Sequence, residues 1–303
     1  MKNEQPLVSI ITLNYNQSIV TCELLKSLNK LTYKNVEVIV VDNASQLDDP
    51  SIIEHQFPKV KLVRSPKHLG FARGNNIGIS LARGHYLLII NNNAEVTEGF
   101  LEPLVNFFKE NPEAGMVSPK IRFFSQPETI LYAGYTPLHP LKLRNDLIGY
   151  QQKDTGQHDM IIETPYAHGA AMMVTSEVVK HAGLIPDIYF LYFEELDWCE
   201  RIKEAGFKIF YYPNSLVYLK ESVSSGKQSP LMTYYKNRNK ILYVRRNYKG
   251  MNKIRVLIYL YCIAMPKHFI MYLLKGKLRS AWAITRGVWW NLLTFKIHPK
   301  CSF

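Results

Sequence analysis

Three short apolar runs, each ending in polar side chains, constrain this chain more than any other feature. Val8–Leu13 leads into Asn14-Tyr15-Asn16, Val36–Val41 into Asp42-Asn43-Ala44-Ser45, and Tyr86–Ile90 into Asn91-Asn92-Asn93. Val60–Val63 is a shorter run of the same kind. Between them, apolar residues recur at helical spacing: Val20, Leu24, Leu25 and Leu28 first, then residues 71–82. Largely apolar strands alternating with helices predict an α/β fold whose mostly parallel sheet is covered on both faces. Ligands of such sheets bind beyond the carboxyl ends of the strands. One polar strand end is an ordinary turn, because Asn and Asp favour turns. Three equivalent ends predict a site. No Gly-x-Gly-x-x-Gly follows the first run, so a dinucleotide cofactor is not indicated.

The second informative stretch is Phe-Leu-Tyr-Phe-Glu-Glu-Leu-Asp-Trp-Cys-Glu-Arg, residues 190–201. Aromatic side chains (Tyr189, Phe190, Tyr192, Phe193) give way abruptly to Glu194, Glu195 and Asp197. Like charges this close, beside apolar rings, repel and are poorly solvated, so at least one should hold its proton more tightly than usual. A carboxylate tuned this way is suited to accept a proton near neutral pH. The competing explanation is that acids favour the first turn of a helix, where they complement its dipole. A helix is expected here, with Leu196, Cys199 and Ile202 on one face and Gly206 at its end.

Between these regions the pattern loosens. Met116–Phe124 and Ile161–Pro165 flank a segment rich in Pro, Gly and His, His168–Val174 combines small and apolar residues, and Phe207–Tyr212 and Ser215–Leu219 read as two short strands. We therefore divide the chain at residues 1–115, 116–228 and 229–303, the first two as halves of one domain and the third as a tail. Four scattered cysteines (Cys22, Cys199, Cys262, Cys301) form neither a zinc motif nor a disulfide framework. With no signal peptide expected before Val8, this points to the cytoplasm.

By its motifs the chain resembles family 2 glycosyltransferases, in particular the bacterial branch that includes rhamnosyltransferases of surface-polysaccharide assembly. The resemblance covers roughly residues 6–250. It rests on Val-Ser-Ile-Ile-Thr-Leu-Asn-Tyr-Asn, Val-Ile-Val-Val-Asp-Asn-Ala-Ser, Gly-Phe-Ala-Arg-Gly-Asn-Asn-Ile-Gly, Asn91-Asn92-Asn93 and Glu-Glu-Leu-Asp-Trp-Cys-Glu-Arg, in that order. It implies the type A glycosyltransferase fold, which is Rossmann-like, and inverting transfer of a sugar from a nucleotide diphosphate sugar to an acceptor hydroxyl. On matching positions it implies a donor site of Thr12, Asn14, Asp42, Asn43, Asn91 and Asn92, with Arg73 approaching the diphosphate. Glu195 would be the catalytic base, and Glu194 and Asp197 would orient it. Trp198 and His168 would meet the acceptor.

Two departures bear on the cofactor. Where the family ends its fourth strand in an Asp that holds a divalent cation, this chain has Asn93, and where it often has a His, this chain has Leu219. Mg²⁺ and Mn²⁺ prefer anionic oxygens. Asn93 and Glu95 would make at most a weak metal site, so ordinary metal dependence is not expected. A non-catalytic donor-binding or scaffolding subunit is the rival reading, and retention of Glu194, Glu195 and Asp197 argues against it.

The net charge of +12 hides an asymmetry. Residues 1–221 carry 21 Lys and Arg against 25 Asp and Glu, whereas residues 222–303 carry 16 Lys and Arg and no acid. The longest uncharged run in the tail, Val256–Pro266, is about half of the roughly 20 residues a spanning helix needs. Pro266, Lys267 and His268 interrupt the apolar stretch of residues 254–274. Leu278, Trp282, Trp289 and Leu292 share a helical face, a pattern of helices that lie in a membrane interface. We expect peripheral attachment to the inner, anionic face of the cell membrane, with Trp282, Trp289 and Trp290 in the interface. The expected partners are a nucleotide diphosphate sugar and a polyprenyl-diphosphate-linked glycan. Nucleic acid ranks lower, because a phosphate-binding face does not need so many Leu, Ile and Trp.

Overall fold

The computed structural model describes residues 5–220 and 229–294. The boundary drawn at residue 228 and Cys301 fall outside them. Four strands form a first parallel block of the sheet: β1 (Val8–Asn14), β2 (Val36–Asp42), β3 (Lys61–Arg64) and β4 (Tyr86–Ile90), in the order β3-β2-β1-β4. The register pairs Asn14 with Asp42, which brings two of the polar strand ends level. Helices α1 (Ser18–Leu28), α2 (Ser51–Gln56) and α3 (Gly70–Leu81) make the connections. α3 lies close on β1: a β-carbon at Gly78 would come within 2.4 Å of Ile11 Cγ2, so this position takes only glycine without movement.

The same sheet continues through the second half of the chain. After β5 (Ala94–Val96) and α4 (Leu101–Glu110) come β6 (Ala114–Phe123), β7 (Ile130–Tyr132), β8 (Ile162–Glu163) and β9 (Ala171–Thr175). α5 (Ser176–Ala182), α6 (Glu194–Glu204) and β10 (Lys208–Leu219) complete this half. β6 and β10 pair parallel, in keeping with the expected mostly parallel sheet, and an antiparallel strand joins them to the first block. β9 inserts antiparallel between β4 and β6, and β5, β7 and β8 also pair antiparallel. The two strands expected at residues 207–219 are one, with a shift of register between Tyr212 and Leu216. Pro213 sits in that shift, where its missing N–H leaves no ladder bond unmade.

The tail is helical: α7 (Pro230–Asn247), α8 (Gly250–Tyr259), α9 (Met265–Leu274) and α10 (Leu278–Leu293). Ser229 caps α7 by accepting the Met232 N–H, with Pro230 in the first turn. Contrary to the sequence expectation, Pro266 does not interrupt the apolar segment. A π-helical turn, Leu260–Ala264, joins α8 to α9 and leaves Pro266 in the opening turn of α9, where no N–H is needed. Gly250–Leu274 is thus one helix of 25 residues, long and apolar enough to cross a membrane by length and composition alone.

One side of that helix is packed. Val256, Leu260, Met265 and Tyr272 share a core with Ile241, Leu242 and Val244 of α7, Ala281 and Ile284 of α10, and Tyr189 and Phe193. Its other side exposes Ile254, Ile258, Ile263, Ile270 and Leu274, and α10 exposes Leu278, Trp282, Trp289 and Leu292. Trp290 departs from the expected interface set, because the Arg238 guanidinium sits 4.6 Å from its ring centroid and draws it inward.

Candidate active site

The polar strand ends form a hydrogen-bonded rack. Asn14 donates to Asp42 (2.8 Å) and accepts from the Thr21 hydroxyl (2.8 Å), and Ser45 donates to Asp42 (2.6 Å). Asn92 extends it by donating to Thr21 Oγ1 at 3.1 Å. Asn14 and Asp42 are buried, as is Thr12, whose hydroxyl has no partner. These three lie behind the wall of a cavity of about 320 Å³ rather than on it. Asn43, Asn91 and Asn92 reach the wall, together with Tyr15, His68 and Phe190, which sequence reasoning missed. His68 stacks on Tyr15 (4.0 Å, 4°) and meets the edge of Phe190 (5.0 Å). Arg73 does not line the cavity. It pairs with Asp187 at 2.9 Å on the outer face of α3, correcting its expected approach to a diphosphate.

Residues 187–193 separate this cavity from a second one. Phe190 and Leu191 face the first, whereas Tyr192, Phe193 and Glu195 face the second, which has a volume of about 630 Å³. The segment crosses the start of α3, where Phe190 accepts the Phe71 N–H at 2.9 Å. Gly70 (φ +75°) permits the crossing, since a β-carbon there would lie 2.2 Å from the Phe190 carbonyl oxygen. Tyr192 and Phe193 are both left-handed (φ +71° and +76°), at about 1–2 kcal/mol for a non-glycine residue. α7 holds them: the Asn239 amide donates to the carbonyls of Leu191 (2.8 Å) and Tyr192 (2.7 Å), and Arg238 donates to that of Ile188 (3.0 Å).

This backbone path sets the three acids apart. Glu194 is buried, with Oε2 unpartnered, and burial followed by the Glu195 charge pushes its proton affinity well up. Glu195 is also raised by burial, but it lines the open second cavity. Asp197 is buried in an ion pair with Arg246 (2.5 Å) and accepts the Tyr189 hydroxyl (2.8 Å), so it faces neither cavity. The expected acceptor contacts are corrected too. Trp198 is wholly buried, its indole N–H bonded to the Gly183 carbonyl at 2.9 Å, and shows no face to a sugar. His168 sits behind Tyr135, its rings parallel at 6.1 Å; its Nδ1 accepts the Ala170 N–H, and burial lowers it to about 4.

The expected metal position is taken up by Lys220. The Asn93 amide donates to the Lys220 carbonyl at 2.6 Å, and the Lys220 ammonium pairs with Glu95 (2.5 Å) and Glu23 (2.6 Å). Among the described residues no three His, Cys, Asp or Glu side chains group to hold an ion. One neutral amide oxygen and one carboxylate already neutralised by lysine do not fit a hard divalent cation.

Comparison with known proteins assigns the family. Residues 9–181 match Glycosyl transferase family 2, and the chain belongs to it. It is 33% identical to polypeptide N-acetylgalactosaminyltransferase 11 of Xenopus tropicalis over 42% of this chain and 22% of that protein. It is 21% identical to N-acetylglucosaminyl-diphospho-decaprenol L-rhamnosyltransferase of Mycobacterium tuberculosis over 76% of this chain and 82% of that protein. Among solved structures, the mannosyltransferase PcManGT of Pyrobaculum calidifontis, in complex with GDP-Man and Mn²⁺, shares the fold. Its TM-score is 0.57 at 16% identity, covering 97% of this chain and 89% of that one. The chain spans between 22% and 63% of the length of three of the curated relatives it matches.

The raised carboxyl pair has a stability consequence. A glutamate whose folded proton affinity exceeds the ordinary value of about 4.3 supports the fold fully below that pH. That support is lost as pH rises through the folded value. Glu195→Gln removes one such ionisation, so its melting temperature should exceed that of the wild type at pH 8 and match it at pH 4. An equal difference at both pH values would show that Glu195 ionises freely.

Proposed function

We propose that this chain is an inverting glycosyltransferase. It binds a nucleotide diphosphate sugar in the cavity at the strand ends and an acceptor hydroxyl in the cavity beside Glu195. The observation that carries the reading is Glu195 itself. Of the three clustered acids it alone lines either of the two cavities described, and burial raises its affinity for a proton. As the acceptor oxygen attacks the anomeric carbon, the bond from that carbon to the diphosphate oxygen breaks, the nucleoside diphosphate leaves as an anion, and Glu195 takes the acceptor proton; Glu194, buried and more readily protonated, keeps the pair at one negative charge. The fold shared with a GDP-Man complex supports the donor half. The relative that acts on a diphospho-decaprenol supports a lipid-linked acceptor. Glu195→Gln should retain donor affinity while transfer falls about 10²–10⁴-fold, the usual contribution of a general base. NMR of the wild-type product should show the opposite anomeric configuration to the donor. Transfer within a few-fold of wild type would remove Glu195 from this role.

The donor set at Asn93 leads us to propose weak dependence on divalent cations. Chelation should leave most of the transfer rate, and Asn93→Asp should tighten Mn²⁺ binding measured by calorimetry. Complete loss on chelation, restored by micromolar Mn²⁺, would refute this.

We also propose that the tail rests on the cytoplasmic membrane surface without crossing it. Support comes from His268 and Tyr272 on the inner side of α9, which line the cavity that holds Glu195, while Trp282 and Trp289 are exposed. A spanning helix would have to leave that wall. Vesicle binding should rise with anionic lipid and weaken with salt, each basic residue near the surface contributing about 1 kcal/mol. A salt-insensitive remainder should disappear in the Trp282→Ala/Trp289→Ala variant. Protease accessibility of the two ends of residues 250–274 on opposite sides of a vesicle would establish spanning instead.

A further inference from the structure

The cavity beside Glu195 carries more positive charge than a neutral sugar needs. Its wall includes Arg144 from the loop after β7, Lys236 and Lys240 from α7, and His268 from α9, facing two acids, Asp146 and Glu195. Among the described residues none of these four basic side chains forms an ion pair. Lys236 lies 4.9 Å from the Tyr192 ring centroid, which places it over the strained segment. Burial, with Arg144 and Lys236 nearby, lowers Lys240 to about 8; burial, Lys240 and Arg144 lower His268. On the same wall the Asn145 amide nitrogen is buried without a hydrogen-bond partner. The Arg144, Lys236 and Lys240 cations, drawn from two elements to one cavity wall, repel one another, and an unpaired buried donor adds its own cost. An anion held between them would remove both costs.

We infer that this cavity binds the phosphate or diphosphate group of the acceptor through Arg144, Lys236, Lys240, His268 and Asn145, and so sets the acceptor hydroxyl against Glu195. The inference rests on the reading of this cavity as the acceptor site. Arg144 supplies a planar fork and the lysines supply point charges, the two common modes of phosphate recognition. The apolar part of such an acceptor has a route outward. His268 and Met271 turn inward on α9, while Ile270, Leu273 and Leu274 on the same helix are exposed, so a prenyl chain can run from the cavity onto the apolar surface.

The test uses the full chain with its donor site saturated by nucleoside diphosphate, titrated calorimetrically with farnesyl diphosphate, inorganic pyrophosphate and farnesol. Wild type should bind farnesyl diphosphate at least tenfold more tightly than farnesol, and pyrophosphate should compete with it. Lys240→Gln and Lys236→Gln should each weaken farnesyl diphosphate by about ten- to a hundredfold, the loss expected for a hydrogen bond to a charged group. Farnesol affinity should stay level across all three. Lys236 is exposed, so Lys236→Gln keeps the test valid if Lys240→Gln fails to fold. Equal affinity of both folded variants and wild type for farnesyl diphosphate would overturn the inference. Displacement of farnesyl diphosphate by phosphatidylglycerol vesicles, with vesicle binding lost in the same variants, would also overturn it by assigning the cavity to a lipid headgroup. Charge-dependent binding of farnesyl diphosphate without transfer to any lipid-linked glycan would uphold the anion site while refuting the proposed acceptor.

Discussion

The grip of α7 on residues 188–193 is the interaction on which the site depends. Two consecutive bulky residues, Tyr192 and Phe193, are left-handed, a conformation that costs about 2–4 kcal/mol for the pair. Three hydrogen bonds from Asn239 and Arg238 offset it, each contributing on the order of 1 kcal/mol and leaving buried donors unsatisfied if broken. The turn they enforce starts α6 so that Glu194 is buried while Glu195 opens to the cavity. The same turn places Phe190 over the other cavity, against His68 on one side and Tyr235 of α7 on the other. Both cavities therefore take their shape from one short strained segment, and the helix that holds it belongs to the tail.

This changes what the acid-free segment means. Its basic residues suggest a surface that meets anions, yet several of them work inside the protein. Arg238 is buried between Ile188 and the ring of Trp290, and Arg246 neutralises buried Asp197. Arg245 donates to the carbonyls of Asn291 and Thr294, tying α7 to α10. α10 returns the contact through Asn291, whose amide donates to the Arg238 carbonyl. Buried cations of this kind need partners on other elements, and the partners here are residues 188–193, α6 and the α10 region. The tail and the sheet domain thus share a core, and a cut between α7 and α8 would expose the packed side of both.

What the sequence made legible was set by local periodicity. The β1, β2 and β4 runs are largely apolar because both faces of the sheet are covered, and their polar ends mark where the cover stops. Side-chain partners from distant positions were not legible, and they decide the site. Nothing local distinguishes Asp197, paired across 49 residues with Arg246, from Glu195, which faces open space. Arg73 reads as a phosphate ligand until Asp187, 114 residues away, is placed beside it. Trp198 follows the acids closely enough to suggest an acceptor platform, but on a helix its neighbour in space is Gly183. The antiparallel insertion of β9 was hidden because a five-residue apolar strand looks the same in either direction. Pro266 misled for a different reason: the rule against proline inside helices assumes an uninterrupted hydrogen-bond ladder, and the π turn before it supplies the break.

The strand end at Asn93 shows how one substitution can be absorbed by its surroundings. An aspartate there would put a third carboxylate near Glu95 and Glu23, and three anions in one place favour a hard divalent cation. With asparagine the local charge is two negatives, and the Lys220 ammonium answers both at 2.5 and 2.6 Å. Its backbone closes the arrangement, since Lys220 donates its N–H to the Asn93 carbonyl and accepts the Asn93 amide. A divalent ion entering here would have to displace a lysine whose own affinity for its proton the two glutamates raise. Burial opposes that shift, and the hydrogen bonds outweigh it. Asn93, Lys220, Glu95 and Glu23 are therefore one charge-balanced unit, and the missing aspartate is matched by a lysine at the end of β10.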